Sequence, residues 1–266
     1  MTDPATADPG RWGDLRTRAL SAVVMVAIGA VELWLGGLSF RILVVLLAGL
    51  MVWELATMTA PARRNTPKAM GAIAAAALAG AIWLPSDAAP ALLLAPALAL
   101  ALTPRKDRRI SSGYAVAIMV ASFGLVQLRD AGGTLAIVWI VTVVVASDVL
   151  GYFAGRMIGG PKFWPAISPK KTWSGTLAGW IGAVLVAAGF VLAGQGGWLL
   201  LLLSPLVAFA GQMGDIAESW VKRRSGVKDA SRLIPGHGGV LDRFDALIGA
   251  LLAVIVIDLF LALPIG

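Results

Sequence analysis

Nine apolar runs constrain this chain more than any other feature of its sequence. They lie at about 19–36, 41–58, 69–84, 88–102, 113–128, 134–156, 175–194, 197–221 and 246–263. A helix needs roughly 17–25 mostly apolar residues to cross a ~30 Å hydrocarbon layer. Inside that layer every backbone N–H and C=O requires an internal partner, so the runs must be helices. The third, fourth and fifth are short, and the fourth carries Pro90 and Pro96. A mean hydropathy of +0.83 lies far above that of a soluble domain of this size. The expected fold class is all-α, a polytopic integral membrane protein with about nine transmembrane helices. Arg16 and Arg18 precede the first run as in a signal peptide, but no small-residue cleavage site follows, so the run reads as a retained span.

The distribution of charge tests that count. With nine spans, the N-terminus and the loops after spans two, four, six and eight share one side. Arg11, Arg16, Arg18, Arg63, Arg64, Lys68, Arg105, Lys106, Arg108 and Arg109 fall there, with Arg156, Lys162, Lys170, Lys171, Lys222, Arg223, Arg224, Lys228, Arg232 and Arg243. These are 20 of the 22 lysines and arginines, and only Arg41 and Arg129 fall opposite. An even number of spans would break the alternation. The positive-inside rule then predicts a cytoplasmic N-terminus, a periplasmic or outside C-terminus, and residence in the cell inner membrane. The net charge of +7 is largely topological and suits anionic headgroups; it does not point to a nucleic-acid partner. With no cysteine, disulfides, thiolate metal sites and cysteine nucleophiles are excluded together.

The two halves differ in character. Residues 1–132 read as about five scaffold helices facing lipid, with short basic loops such as NTPK and PRKDRR that serve as topology anchors. Glu32 and Glu54 lie in or near spans, where a carboxylate is costly unless paired, and a structural pair or polar packing explains each. Residues 133–266 read as the catalytic region, with cytoplasmic loops at 157–174 and 222–245. Asp148 and Asp215 lie near the cytoplasmic ends of spans six and eight, and Asp258 lies within span nine, where it needs a packing partner.

Residues with chemical capacity gather in that second half. Asp215, Glu218, Ser219 and Lys222 are spaced i, i+3, i+4 and i+7, so they share one helix stripe. An i, i+4 ion pair between Glu218 and Lys222 would account for two of them. It would leave Asp215 deeper in the span without a partner, at a cost of about 2.5–3.5 kcal/mol that a bound cation would offset. Asp242 and Asp245, at i and i+3, project from one face where span nine begins. Before them, Gly236, Gly238 and Gly239 permit tight turns and close approach of a ligand, and backbone N–H groups there suit phosphate. Carboxylates from two helices, together with phosphate oxygens, are the usual way of holding Mg2+, with room for a second cation in the same site. His237, the chain's single histidine, reads either as a phosphate partner or acid, or as structural. Lys170 and Lys171 in ISPKKTWSG form a cationic wall, although the spacing is not that of a Walker A loop.

The stretch from Ser219 to Asp245, SWVKRRSGVKDASRLIPGHGGVLDRFD, closely resembles the signature of the phosphatidate cytidylyltransferases, or CDP-diacylglycerol synthases. GDIAES, SPKKTW and the Asp-Gly-Tyr pattern of ASDVLGYFAGR agree with further motifs of that family. The likeness covers the second half well, and the first half agrees in being several apolar spans. Ser174 departs from the family, where glutamate commonly follows the tryptophan.

The resemblance implies the reaction CTP + phosphatidate → CDP-diacylglycerol + pyrophosphate, with CTP, phosphatidate and membrane lipid as partners and a homodimer as a further candidate. It implies Asp215 and Asp242, one from each helix, as the leading metal ligands and Asp245 and Glu218 as the next, with Lys228 and His237 beside them in the catalytic set. Lys170, Lys171, Lys222, Arg223, Asp229, Gly238, Gly239 and Arg243 would contact the nucleotide and its phosphates. The lipid phosphate is itself an oxyanion, so no protein nucleophile is needed; the chemistry is alignment and charge stabilisation. A CTP-dependent lipid kinase and an ion-coupled secondary transporter remain as alternatives.

Overall fold

The computed structural model describes residues 11–60, 66–131 and 133–265, without the side chains of residues 11–17. Arg63 and Arg64, and the side chains of Arg11 and Arg16, therefore lie outside the described residues.

The chain is almost entirely helical: α1 (Arg11–Leu35), α2 (Gly37–Thr59), α3 (Thr66–Trp83), a 3-10 segment (Ala89–Leu94), α4 (Ala95–Leu102), α5 (Arg108–Asp130), α6 (Thr134–Met157), α7 (Trp173–Leu192), α8 (Leu200–Ser225) and α9 (Leu241–Asp258). Each of the nine apolar runs falls on helical structure. Among the described residues six helices, α1, α2, α5, α6, α7 and α8, are long and apolar enough to cross a membrane, so the chain is a membrane protein. The other three depart from a plain span for physical reasons. The fourth run is divided into a 3-10 segment and a short helix, with Pro90 and Pro96 each in the opening turn of its piece. α3 is an alanine-rich helix of 18 residues with Pro67 and Lys68 in its first turn, and α9 carries Asp242, Arg243, Asp245 and Asp258. Asp258 is the last residue of α9 and exposed, not buried within it as its sequence position suggests.

The loops after span six are also not purely irregular. Residues Lys162–Trp164 (β1) and Ser168–Thr172 (β2) form an antiparallel hairpin, with Lys162 opposite Thr172 and Trp164 opposite Ser168. Left-handed Gly159 and Gly160 let the chain leave α6. Thr172 then caps α7 by accepting a hydrogen bond from the Gly175 amide at 3.2 Å. Ser174 donates to the Gly159 carbonyl and meets the Thr172 hydroxyl at 3.0 Å, fastening the hairpin to α7.

The buried core runs through α2, α5 and α9, where Val52, Leu55, Ile118, Met119, Leu251 and Val254 are closed off. By contrast α1 leaves Val23, Val26, Val31 and Trp34 exposed, as a helix surrounded by lipid would. Contacts between distant loops sort the helix ends into two faces. On one, Lys106 donates to the Thr59 carbonyl, and Arg224 grips Asp107 through two bonds of 2.9 and 2.8 Å. On the other, Arg41 pairs with Asp130 at 2.8 Å and Gly197 bonds to Pro264.

Candidate active site

The site lies where α8, α9 and β2 meet, close to the face that holds Asp107 and Arg224. On α8, Gln212 sets the frame. Its amide donates to Ser147 on α6 at 3.1 Å and to the Thr176 carbonyl on α7 at 3.3 Å, and it accepts from the Trp180 indole at 3.1 Å. One turn further along α8 comes Asp215, whose carboxylate pairs with the Lys171 ammonium and accepts from Ser219 at 3.4 Å. The stripe of residues expected from sequence is thus present on α8.

Strand geometry separates the two lysines of the KK pair. Successive residues of a strand point to opposite sides, so Lys171 turns inward to Asp215 while Lys170 is exposed.

Glu218, next on the stripe, is fully buried. Its Oε2 touches the Lys222 ammonium, and its Oε1 has no donor among the described residues. The i, i+4 ion pair therefore exists, but it leaves half of a buried carboxylate uncompensated. Lys222 also binds Asp242 Oδ1 at 2.6 Å, so it bridges α8 and α9. Asp215, Glu218 and Asp245 each present an oxygen within 4.8 Å of the others.

Asp242 stands apart from this trio. Its Oδ2 accepts from the Gly239 amide at 2.7 Å and the Ala230 amide at 2.9 Å, while Oδ1 takes Lys222. It ties the loop between α8 and α9 to the first turn of α9.

The same loop is held from the other side by Glu54 of α2. That carboxylate is fully buried and accepts from Ser231 Oγ at 2.5 Å, the Val240 amide at 3.0 Å and the Leu241 amide at 2.7 Å. Glu54 thus caps α9 from another helix, satisfying amides that would otherwise be unpaired. A Cβ on Gly239 would lie 2.6 Å from Glu54 Oε1, and Gly238 adopts φ +86°. Gly238 and Gly239 thus give room to the Asp242 and Glu54 carboxylates, while Gly236 packs against Arg18. The amides of His237 and Gly238 bond to the Ile234 carbonyl at 3.0 and 3.1 Å. All five amides from His237 to Leu241 are therefore already engaged.

His237 Nδ1 lies 2.7 Å from Ser21 Oγ on α1. Lys228, Asp229, Arg223 and Arg243 are exposed on this face. The four cations Lys170, Arg223, Lys228 and Arg243 make no ion pair among the described residues. They form a basic rim beside an acidic centre.

Oxygen-only donors from two helices, one of them orphaned and buried, suit a hard divalent cation, and Mg2+ among these keeps few protein ligands. An acidic centre under a cationic rim, on a chain of apolar helices, is the kind of site that suits a divalent cation and a polyanion. The sequence profile of the cytidylyltransferase family matches residues 16–261, and the chain belongs to that family. A phosphatidate cytidylyltransferase of Brucella abortus biovar 1 (strain 9-941) is 35% identical over 248 residues, covering 89% of this chain and 90% of that protein. One from Staphylococcus haemolyticus (strain JCSC1435) is 31% identical over 251 residues, 87% of this chain and 94% of its own. One from Helicobacter pylori (strain J99 / ATCC 700824) is 44% identical over 147 residues, 53% of this chain and 54% of its own.

Proposed function

We propose that the chain is a phosphatidate cytidylyltransferase of the cell inner membrane. It would join CTP to phosphatidate, giving CDP-diacylglycerol and pyrophosphate. The observation that carries this reading is the buried Glu218, with an oxygen that has no donor among the described residues, held beside Asp215 and Asp245 under a rim of cations that make no ion pair among those residues. The nine helical runs and the segregated lysines and arginines support nine crossings, with the site on the cytoplasmic side.

Asp215, Glu218 and Asp245 would hold Mg2+. When bound there, the ion supplies charge neutralisation and alignment for a nucleoside triphosphate. Asp242 is a positioning residue, since its lone pairs are engaged by Gly239, Ala230 and Lys222. Lys222 keeps Glu218 and Asp242 in register across two helices. Lys171 balances Asp215 and lies at the edge of the acidic centre, where it can receive a phosphate oxygen. Lys170, Arg223, Lys228 and Arg243 would draw the triphosphate and stabilise the departing pyrophosphate. A lipid phosphate oxygen attacks the α-phosphorus of CTP. The new P–O–P bond forms as the bond to the β-phosphate bridging oxygen breaks, and its electron pair leaves with pyrophosphate. No serine, cysteine or histidine nucleophile is required.

The test uses detergent-solubilised full-length protein, phosphatidate, Mg2+ and CTP labelled at the α- or the γ-phosphate. Label from the α-position in the lipid product, with free pyrophosphate, supports the proposal. Label from the γ-position in lipid would make the chain a kinase. No labelled lipid at all, with ion-coupled flux in vesicles, would make it a transporter.

A further inference from the structure

A groove runs down the membrane side of the site between α5, α8 and α9, with a volume of about 630 Å3. Its upper end lies level with the acidic centre. Met213, Gly214 and Ala217 lie in the same turns of α8 as Asp215 and Glu218, and Ile248 and Gly249 follow Asp245 by one turn of α9. The floor is formed where α8 and α9 cross at Gly214 and Gly249: a Cβ on Gly249 would collide with the Ala210 carbonyl, and one on Gly214 with the Asp245 carbonyl. Below this the lining is hydrocarbon, including Leu206, Phe209, Ala253 and Val256.

One lining residue is polar. Tyr114 of α5 is buried at 9% exposure, its hydroxyl has no hydrogen-bond partner among the described residues, and it lines the groove together with Gly214, Ala217 and Gly249. An unpartnered buried hydroxyl is costly unless a ligand supplies the missing bond. It stands where the groove meets the carboxylates.

We infer that this groove holds one acyl chain of the lipid substrate and that the Tyr114 hydroxyl bonds an ester or glycerol oxygen at its head. The inference rests on the function proposed above and adds where the lipid lies. Length favours this occupant. From Ala217 to Leu206 the groove covers about 16 Å at 1.5 Å per residue, close to half of a ~30 Å hydrocarbon core. A chain anchored at the carboxylates and ending near the bilayer centre is one leaflet's acyl chain. The volume falls within the roughly 300–1,000 Å3 of ligand sites. Ala253, about 12 Å along α9 from Asp245, would lie against the lower part of that chain.

The experiment compares dihexanoyl and dipalmitoyl phosphatidate as substrates for full-length protein in mixed micelles, reading CDP-lipid formed. In Ala253→Phe the long-chain to short-chain ratio of kcat/KM falls at least tenfold, and in Ala253→Leu it falls by a smaller factor. Because the ratio is taken on one preparation, loss of folded protein cancels. Tyr114→Phe raises KM for both lipids about two- to tenfold, the worth of one neutral hydrogen bond, and leaves KM for CTP at the parental value. An unchanged ratio in both Ala253 variants overturns the acyl assignment. An unchanged ratio with altered oligomeric mass overturns it in favour of a second copy of the chain, and an unchanged lipid KM in Tyr114→Phe removes the hydroxyl from the site. Failure of the parent chain to form CDP-lipid from either substrate would instead overturn the function, and the inference with it.

Discussion

Consider Glu54→Gln, a change of one atom in a helix far from the signature in sequence. In the parent, Glu54 Oε1 takes Ser231 and Val240, and Oε2 takes the Leu241 amide. Glutamine can keep the first two bonds only by turning its amide nitrogen toward the Leu241 N–H, so two donors face each other. A hydrogen bond to a charged group contributes about 1.5–3 kcal/mol, and an anion at a partly buried helix N-terminus up to ~2 kcal/mol. Removing a buried charge also recovers some desolvation cost, so the net penalty on the ordered loop is about 2–4 kcal/mol. At 1.4 kcal/mol per tenfold, the equilibrium holding Ser231 and the start of α9 in place weakens roughly 30- to 700-fold. Because α9 carries Asp245, turnover of CTP and phosphatidate should fall at least tenfold, while far-UV helicity and elution volume stay parental. Ser231→Ala, which removes one donor and leaves both amides, should cost less. Parental turnover and thermal stability in Glu54→Gln would refute the reasoning.

Other outcomes follow from the same geometry. Gly239→Ala places a methyl group against the Glu54 carboxylate and should lower activity as much as Glu54→Gln; equal activity of Gly239→Ala and parent would mean that the loop has slack. Lys171→Ala should raise KM for CTP well beyond Lys170→Ala, because only Lys171 turns to Asp215, and steady-state kinetics of the two side by side decides this. Asp107 sits in left-handed backbone at φ +53° while holding Arg224. Asp107→Asn tolerates that backbone and loses only the ion pair, so its Tm should drop less than that of Asp107→Val, which adds about 1–2 kcal/mol of strain.

Much of this protein was legible before its structure. The nine apolar runs, the α8 stripe and the importance of the KDASRLIPGHGGVLDRFD segment follow from spacing and from the cost of charge in hydrocarbon. The partners of that charge did not follow. Asp242 and Asp245 share a helix face, and the sequence puts Asp242 ahead of Asp245 as the ligand paired with Asp215. Only the fold shows that the Ala230 and Gly239 amides engage one and leave the other beside Asp215. Glu54 was readable as a carboxylate needing donors, but nothing in spacing points to amides at Val240 and Leu241. Tyr114 gave no signal, because a tyrosine in a span is unremarkable until its hydroxyl is found without a partner. The hairpin at 162–172 was hidden because the stretch KFWPAISPKKT lacks strict alternation of apolar and polar residues.

The central claim is that Asp215, Glu218 and Asp245 together grip the divalent cation that recruits CTP. Electron paramagnetic resonance of Mn2+ added to the purified full-length protein, with and without CTP, reads this directly. The account predicts a bound-ion signal that CTP perturbs, that Mg2+ displaces, and that Glu218→Gln and Asp245→Asn each remove while Asp229→Asn keeps it. An undiminished, CTP-sensitive signal in both of the first two variants would contradict it.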